Sequence, residues 1–289
     1  MRLAWLMLDG VGLRHPNDSY AHPFVALELP TLTKLGITTP IASQHSEFIA
    51  RAIDANLSVA GLPQSGTGQT TILTGINASA TLGFHHGPWV SPSLRPLLEQ
   101  SILKRIGGVR LANYYPERYL QALESGKTRL NAIATSALAA GAKLEGADGI
   151  GIAPMLRSPE ATNGNTTQIQ RWALEFINST ARITIFDQWW TDSVGHEMNL
   201  LEAQAFALRL EQFCAVCLAN RQPDTLFLVT SDHGNFEDLS VKTHTRNPVP
   251  LAAVGKGAQH FASVTDLTGI AAALEAAFDE FRLESVQIS

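Results

Sequence analysis

The chain has 289 residues, of which 45% are hydrophobic and 16% are charged, and its formal net charge is −5 at pH 7. A chain of this length and composition can bury one large α/β core, with room for a small additional lobe. The negative net charge and the lack of a basic run exclude nucleic acid and anionic membranes as expected partners.

The apolar runs and the N-terminal sequence bear on the location of the protein. Every apolar stretch falls well short of the length that crosses a membrane. Met1 and Arg2 lead directly into an apolar strand, and such a start does not fit a signal peptide. We therefore expect a cytoplasmic protein.

The first predicted element is an apolar strand over Leu3–Leu8, which is followed by Asp9 and Gly10. A carboxylate directly after a buried strand is a common way to present a metal ligand, and the glycine permits close backbone approach. Asp9 is therefore the first candidate ligand, although the pattern is common when it stands alone.

The second segment, Gly61–Thr70, is a glycine-containing loop that leads into a predicted helix. It places Ser65 near a helix N-terminus, where free N–H groups favour an anion such as phosphate. A serine hydroxyl becomes a nucleophile when its proton is withdrawn, and coordination to a divalent cation does this without a histidine base. The alternative is that Ser65 or Thr67 only caps the helix.

The third segment begins as a strand at Ile183–Phe186 and finishes near Asp192 and His196. If a helical turn begins there, both side chains lie on one face and can hold a single ion. The alternative makes Asp192 a helix N-cap and His196 an exposed residue of the first turn.

The fourth segment combines an apolar run, Thr225–Val229, with Asp232 and His233 directly after it. The run predicts a buried strand, and α/β sheets place their sites at the carboxyl ends of such strands. His244 follows in the next loop, within His-Thr-Arg-Asn-Pro-Val-Pro. Either segment alone is also compatible with a polar turn or a loop histidine.

Strand candidates alternate with helical patterns along the whole chain. The helical patterns cover Thr128–Ala140, Ile169–Ile177 and Leu267–Phe278, and a further strand is predicted at Val249–Val254. This alternation predicts an α/β fold with a mostly parallel central sheet and helices on both faces.

Two histidines and two cysteines complete the candidates. His85 and His86 either face a substrate or lie in a solvated turn before Pro88. Cys214 and Cys217 lie in a helical pattern without a second cysteine pair, which favours buried thiols on a core helix over a zinc or redox site.

Together the four segments resemble the alkaline phosphatase superfamily, and most closely its branch of cofactor-independent phosphoglycerate mutases and phosphopentomutases. The motifs occur here in the family's order, each at a predicted strand or helix end. The matching residues are Asp9 for the acid of the opening strand, Ser65 for the nucleophile, Asp192 and His196 for Asp-x-x-x-His, Asp232 and His233 for Asp-His-Gly-Asn, and His244 for the start of His-Thr-x-Asn-Pro-Val-Pro.

The resemblance implies two divalent metal ions, Mn²⁺ or Zn²⁺, and a small phosphorylated substrate. The implied ligands of one ion are Asp192, His196 and His244. Those of the other ion are Asp9, Ser65, Asp232 and His233. Transfer from a phosphoseryl intermediate to water describes a phosphatase or phosphodiesterase, and transfer to a second substrate hydroxyl describes a mutase. A non-catalytic metal-binding homologue is the remaining alternative.

The resemblance covers residues 1–116 and 182–289, which are predicted to form a discontinuous catalytic core. The family's mutases insert a lid-like cap domain with substrate-binding arginines and lysines, but residues 117–181 are too few for its larger version. We expect a connecting segment or a reduced cap there. Gln69 also replaces a histidine that the mutases usually carry. The short segment favours a hydrolase, because a mutase must keep water from its phosphoenzyme.

Overall fold

The computed structural model describes residues 1–14, 22–146 and 166–287. These ranges contain one seven-stranded sheet. Its strands are β1 (Arg2–Leu8), β2 (Ser43–His45), β3 (Phe48–Ile53), β4 (Val109–Leu111), β5 (Ile183–Gln188), β6 (Thr225–Ser231) and β7 (Val249–Val254).

The order of the strands across the sheet is β2-β3-β7-β6-β1-β5-β4. Neighbours among β6, β1, β5 and β4 pair in parallel. β7 runs antiparallel to both β6 and β3, and β2 runs antiparallel to β3. Five strands, namely β3, β6, β1, β5 and β4, therefore point the same way, which confirms the predicted mostly parallel sheet.

The helices of the described ranges are distributed along the chain between the strands. They are α1 (Pro30–Lys34), α2 (Ser65–Thr74), α3 (Ala78–Leu82), α4 (Arg95–Leu98), α5 (Ile102–Ile106), α6 (Glu117–Glu124), α7 (Ala132–Ala139), α8 (Thr166–Ile177), α9 (Trp190–Glu197), α10 (Leu200–Asn220) and α11 (Gly269–Gln287), with 3₁₀ turns at Pro92–Leu94 and Ala258–Phe261. Within the same ranges, none of the helices combines the length and the apolar character that crossing a membrane requires.

Side-chain alternation along β1 divides the interior into two hydrophobic cores. Trp5 and Met7 point to one face of the sheet, and Leu6 and Leu8 point to the other. α2, α7 and α11 cover the first face, whereas α1, α8 and α10 cover the second. The structure thus has helices on both faces, as predicted.

α10 confirms the interpretation of the two cysteines. Cys214 and Cys217 are free thiols, and both are completely buried in the second core. Burial raises the pKa of both thiols, so they remain protonated and packed rather than reactive.

The three strands that form antiparallel pairs, β2, β3 and β7, contain the main departures from the sequence prediction. β7 lies where a strand was predicted, but it runs against β6. β2 and β3 were not predicted, because their short polar and apolar mixture has no clear period. They become strands through pairing, since β3 forms a continuous ladder with β7 from Phe48 opposite Val254 to Ile53 opposite Val249.

The described part of residues 117–181 packs onto the two cores. Ile133 and Ala137 of α7 join the first core, and Ile169 and Phe176 of α8 join the second. Residues 147–165 lie outside the described residues. The division into a core and a connecting segment or reduced cap therefore stays a prediction.

The parallel register places three candidate segments at one edge of the sheet. Leu8, the last residue of β1, lies opposite Gln188 of β5 and Ser231 of β6. The chain leaves all three strands at the same level, so the residues that follow them meet there.

Asp187 of β5 is a buried carboxyl group just below this edge. Its Oδ2 atom accepts a hydrogen bond from Asn131, but its buried Oδ1 atom has no partner among the described residues. Burial raises the pKa of Asp187 to about 7, even though the Asn131 hydrogen bond acts in the opposite direction. Between about pH 4 and 7 the folded protein keeps a proton that the unfolded chain has lost, so Asp187 reduces stability as the pH rises through that window.

We predict that Asp187→Asn increases the free energy of unfolding at pH 8, and that this gain shrinks by about 2 kcal/mol at pH 5. The amide resembles the protonated carboxyl group but cannot ionise. Urea unfolding of metal-free protein at both pH values measures the effect. Asp279→Asn is the control, because the carboxylate of Asp279 forms an exposed ion pair with Arg282 and its removal should cost the same at both pH values. An Asp187→Asn gain that does not change with pH would contradict the prediction.

Candidate metal centre

All seven candidate residues come together at the edge where β1, β5 and β6 end. They come from five separate parts of the chain, so the cluster exists only in the folded protein. Asp9 follows β1, Ser65 begins α2, Asp192 and His196 lie on α9, Asp232 and His233 follow β6, and His244 lies in the loop between β6 and β7.

One half of the site surrounds the Ser65 hydroxyl. Ser65 Oγ lies 3.2 Å from Asp9 Oδ1 and 3.0 Å from His233 Nε2. His233 Nε2 in turn lies 3.1 Å from Asp9 Oδ1 and 3.9 Å from Asp232 Oδ1. The hydroxyl therefore shares one small volume with two carboxylates and an imidazole, all of them buried.

The other half of the site is arranged around the carboxylate of Asp192. Its Oδ2 atom lies 3.3 Å from His196 Nε2, and its Oδ1 atom lies 3.4 Å from His244 Nε2. Asn235 orients this carboxylate, because Asn235 Nδ2 donates a hydrogen bond of 2.6 Å to Asp192 Oδ1. The spacing of Asp192 and His196 does place both on one helix face, as the sequence indicated.

His233 lies between the two halves. Its ring stacks on that of His244, with 3.9 Å between the ring centroids. The donor atoms that lie within 4.8 Å of one another form two triads, Asp9 with Asp232 and His233, and Asp192 with His233 and His244. This grouping differs from the implied ligand sets, because His233 is common to both triads and His196 stands at the edge of the second.

Three imidazoles have the same orientation, which is typical of metal ligands. His196 Nδ1 donates to Lys242 O at 2.8 Å, and His244 Nδ1 donates to Pro63 O at 2.7 Å. His233 Nδ1 faces Gly234 O at 3.4 Å. These contacts direct each Nε2 atom toward a carboxylate. An Nε2 atom in that position either carries a proton or, as a neutral ligand, shares a metal cation with the carboxylate.

The electrostatics of the buried groups point to the same need for positive charge. Burial, together with the charge of Asp232, raises the pKa of Asp9 well above its usual value. Burial alone would lower the pKa of His233, but the charges of Asp232 and Asp9 raise it to about 10. For Asp192, burial is outweighed by the His244 hydrogen bond and the charge of His233, so its pKa is lowered.

Asp232 provides a further test of whether the residues fit a metal ion. Its Oδ1 atom accepts a hydrogen bond from Gly10 N at 3.1 Å, but its buried Oδ2 atom has no partner among the described residues. A buried carboxylate oxygen without a donor is costly unless a cation supplies the missing interaction. The carboxylate and imidazole donors of this cluster suit divalent manganese or zinc.

Two glycines allow the ligand-bearing segments to approach closely. Gly10 has a φ of +71°, and a Cβ atom there would lie 2.8 Å from Asp192 Oδ1. On α2, a Cβ atom at Gly68 would lie 2.7 Å from Asp232 O. Larger residues would therefore separate the helix that carries Ser65 from the end of β6.

Glu237 organises the loops of the site and was missed by the sequence analysis. Its fully buried carboxylate accepts hydrogen bonds from Gly12 N and Asn235 N, both at 2.8 Å. It also accepts from Thr245 and Asn247 in the segment that follows His244. A lone glutamate in a loop carries no local signal of burial, so only its proximity to the Asp-His-Gly-Asn motif could have indicated this role.

Gln69, His85 and His86 support the site from α2 and the turn after α3. Gln69 Nε2 donates to Asp9 Oδ2 at 3.3 Å. His85 Nε2 donates to Val59 O, and its Nδ1 atom faces Ser79 Oγ at 3.0 Å. His86 contacts the start of α2 through its backbone, because His86 O accepts from Thr67 N at 2.9 Å. These contacts position the loop around Ser65.

Comparison with known proteins identifies a family match over nearly the whole chain. The profile of the Metalloenzyme superfamily matches residues 1–279. No curated protein sequence matches significantly.

Several solved structures share the fold at low sequence identity. An alkaline phosphatase from the Antarctic bacterium TAB5 is 13% identical, with 96% of this chain and 97% of that chain covered and a TM-score of 0.51. A cold-active alkaline phosphatase from Shewanella sp. is 14% identical, with 96% and 99% covered and a TM-score of 0.53. The PH0037 protein from Pyrococcus horikoshii is 14% identical, with 89% and 86% covered and a TM-score of 0.53. The predicted alkaline-phosphatase-like fold is thereby confirmed.

We predict that Asp9→Asn lowers the stability of the protein only when metal is bound. Without metal, the amide removes a buried charge that Asp232 repels, so the melting temperature should stay the same or rise. With saturating Mn²⁺, the variant should melt below the wild type, because a ligand that binds only the folded state stabilises by about 3 kcal/mol at a hundred times its Kd and the variant binds more weakly.

Thermal unfolding in chelator and in excess Mn²⁺ measures both effects. The matched control is Asp224→Asn, since Asp224 lies on the surface and pairs with Arg2 away from the site. Its change in melting temperature should be the same under both conditions. If the change in melting temperature for Asp9→Asn were also the same in chelator and in Mn²⁺, Asp9 would not be a metal ligand.

Proposed function

Because the chain belongs to the Metalloenzyme superfamily, as the resemblance implied, we propose that it is a metal-dependent phosphoryl-transfer enzyme with Ser65 as its nucleophile. The observation that carries this proposal is the position of the Ser65 hydroxyl. It lies at the start of α2, within 3.2 Å of Asp9 and 3.0 Å of His233, and it also lines a cavity that opens to solvent.

The residues that would hold two divalent ions, manganese or zinc, are those of the two triads, with Ser65 and His196 beside them. Bound there, the ions would lower the pKa of the Ser65 hydroxyl and offset negative charge on the phosphoryl oxygens. The buried carboxylates and the orientation of the imidazoles support this ligand set.

The protein's own groups prepare the phosphoryl transfer. The Ser65 hydroxyl donates to Asp9 Oδ1, which orients Ser65 Oγ and offers its proton an acceptor. Thr67 N donates to His86 O and Gly68 N donates to Gln64 O, which leaves the N–H groups of Ser65 and Gly66 at the start of α2 to bind the oxygens of a phosphate. Attack by Ser65 Oγ forms a bond to phosphorus as the bond to the leaving oxygen breaks, and the departing alcohol takes up a proton. Water then releases phosphate from the phosphoserine.

Within this class we propose a hydrolase, a phosphatase or phosphodiesterase, rather than a mutase. Among the described residues, the cavity that contains both Asp9 and Ser65 is lined by no lysine or arginine, and the adjoining cavity that also contains Ser65 has a single lysine, Lys242. A mutase needs such groups to hold the dephosphorylated substrate while it turns over, together with a lid that keeps water away. The same nucleophile and ligands would serve a mutase, which remains the second candidate.

We predict that Ser65→Ala abolishes turnover of phosphate esters while the protein stays folded. Removal of the attacking oxygen removes the chemical route, whereas loss of a polar side chain at a helix start costs only about 1 kcal/mol. Thr67→Ala is the matched control on the same helix, because the Thr67 hydroxyl donates to Gln64 O and not to the metal ligands. Hydrolysis of p-nitrophenyl phosphate and its bis-ester with added Mn²⁺ or Zn²⁺ measures both variants. An active Ser65→Ala and an inactive Thr67→Ala would identify Thr67 as the nucleophile.

We also predict that free phosphate exceeds isomerised product when the Mn²⁺-loaded enzyme acts on phosphorylated sugars and glycerates. The open cavity lets water reach the phosphoserine. Assay of inorganic phosphate and chromatography of the organic products on the same sample separate the two outcomes. Efficient isomerisation with negligible phosphate release would establish a mutase.

A further inference from the structure

A cavity of about 460 Å³ adjoins the Ser65 hydroxyl, and its walls are largely aromatic. Asp9 and Ser65 lie at one end of it, with Asp192 and His196 beside them. The aromatic lining consists of Trp89, Tyr115, Tyr119 and Trp189. Its volume falls within the range of pockets that enclose small-molecule ligands.

Contacts with the rest of the protein hold the aromatic rings in place. Tyr115 is only 3% exposed and packs in the first core, and its ring centroid lies 5.3 Å from that of Tyr119 and 6.5 Å from that of Trp189. The Tyr119 hydroxyl donates to Arg129 O at 3.1 Å. Three of the four rings therefore form a connected wall that needs no rearrangement to receive a ligand. Trp89 lies at the solvent side and is 38% exposed.

The charge distribution around Ser65 indicates which part of a substrate this cavity accepts. Burial and then the charge of Asp187 raise the pKa of Tyr115 and of Tyr119, so both side chains stay neutral. A second cavity, also about 460 Å³, shares Ser65 and Asp192 but contains Lys242. A charged substituent is therefore better accommodated in the second cavity, and the aromatic cavity suits a flat, uncharged group.

We propose that the aromatic cavity binds the leaving group of the substrate, and that the preferred substrates are phosphate esters in which an uncharged aromatic ring lies a short distance from the phosphate. This inference rests on the proposed function of Ser65. Attack by Ser65 Oγ breaks the bond between phosphorus and the ring-bearing oxygen, and the aromatic alcohol leaves with a proton from solvent. Stacking on Tyr119, Trp189 and Trp89 holds the ring beside the reacting phosphate.

The test compares esters whose leaving alcohols have similar acidity. The Mn²⁺-loaded enzyme is assayed with 2-phenylethyl, 2-cyclohexylethyl and ethyl phosphate. We expect kcat/KM for the phenylethyl ester to exceed that for ethyl phosphate about thirtyfold, as burial of a ring implies. It should exceed that for the cyclohexylethyl ester about threefold to tenfold, because only the aromatic ring gains from stacking. Equal kcat/KM values for the three esters would overturn the proposal.

Variants of the wall identify the residues responsible. Tyr119→Leu and Trp89→Leu should each lower the ratio of kcat/KM for phenylethyl over ethyl phosphate at least about fivefold, because each removes a stacking surface. Phe84→Leu is the control, since Phe84 is 53% exposed and does not line the cavity. It should leave the ratio unchanged, and an equal fall in all three variants would contradict the assignment of these rings.

A binding measurement separates this inference from the proposed function. Titration calorimetry of Ser65→Ala with Mn²⁺ compares 2-phenylethylphosphonate with ethylphosphonate, neither of which can be hydrolysed. Tighter binding of the aromatic phosphonate, by about tenfold or more, supports the cavity assignment. This conclusion holds even if the wild type hydrolyses no ester, although the lack of hydrolysis would refute the proposed function. Turnover of all esters with no preference for aromatic ligands in either experiment would refute the cavity assignment and support the proposed function.

Discussion

The site depends on one electrostatic constraint, which is the burial of several carboxylates at the ends of neighbouring strands. Asp9 and Asp232 lie side by side in the protein interior, and the charge of Asp192 also acts on Asp9. Mutual repulsion and the loss of hydration oppose such a group of charges. The imidazoles around them, and above all His233, supply part of the compensating charge. Divalent metal ions would supply more, which agrees with the match of the chain to a metalloenzyme family.

A second carboxylate network fixes the geometry of this cluster. Glu237 does not face the Ser65 hydroxyl, but its buried carboxylate joins the loop after β1, the Asp-His-Gly-Asn turn and the segment after His244. Each of these loops carries a candidate ligand. Asn235 adds a direct connection to Asp192. The donors around Glu237 are backbone amides and neutral side chains. Hydrogen bonds from these groups satisfy its buried carboxylate, so Glu237 does not need a metal ion or a charged side chain beside it.

The sequence predicted the fold where the evidence was local. β1 is mostly a continuous apolar run, and β5 and β6 contain the predominantly apolar stretches Ile183–Phe186 and Thr225–Val229. Such buried parallel strands can be recognised without knowing which strand they pair with. β2, β3 and the direction of β7 could not be predicted, because the direction in which a strand pairs depends on where the chain returns to the sheet. The positions of the site residues divide in the same way. The helical spacing of Asp192 and His196 predicted their shared face on α9, whereas His244 reaches the site through a loop whose path no local pattern predicts.

The amino-acid sequence by itself determined which side chains stand at the strand ends, because an apolar run and the polar residue that follows it are adjacent in the chain. Strand ends indicated Asp9, Asp232 and His233. The resemblance to a known family completed a set of seven residues, from Asp9 to His244, that the structure brings together. Only the tertiary structure decided that His233 belongs to both donor triads, that Glu237 joins the loops, and that rings from distant segments such as Tyr119 and Trp189 line one cavity beside Ser65. These relations are contacts between residues far apart in the chain, and no local pattern specifies which of many polar or aromatic side chains will meet once the sheet has formed.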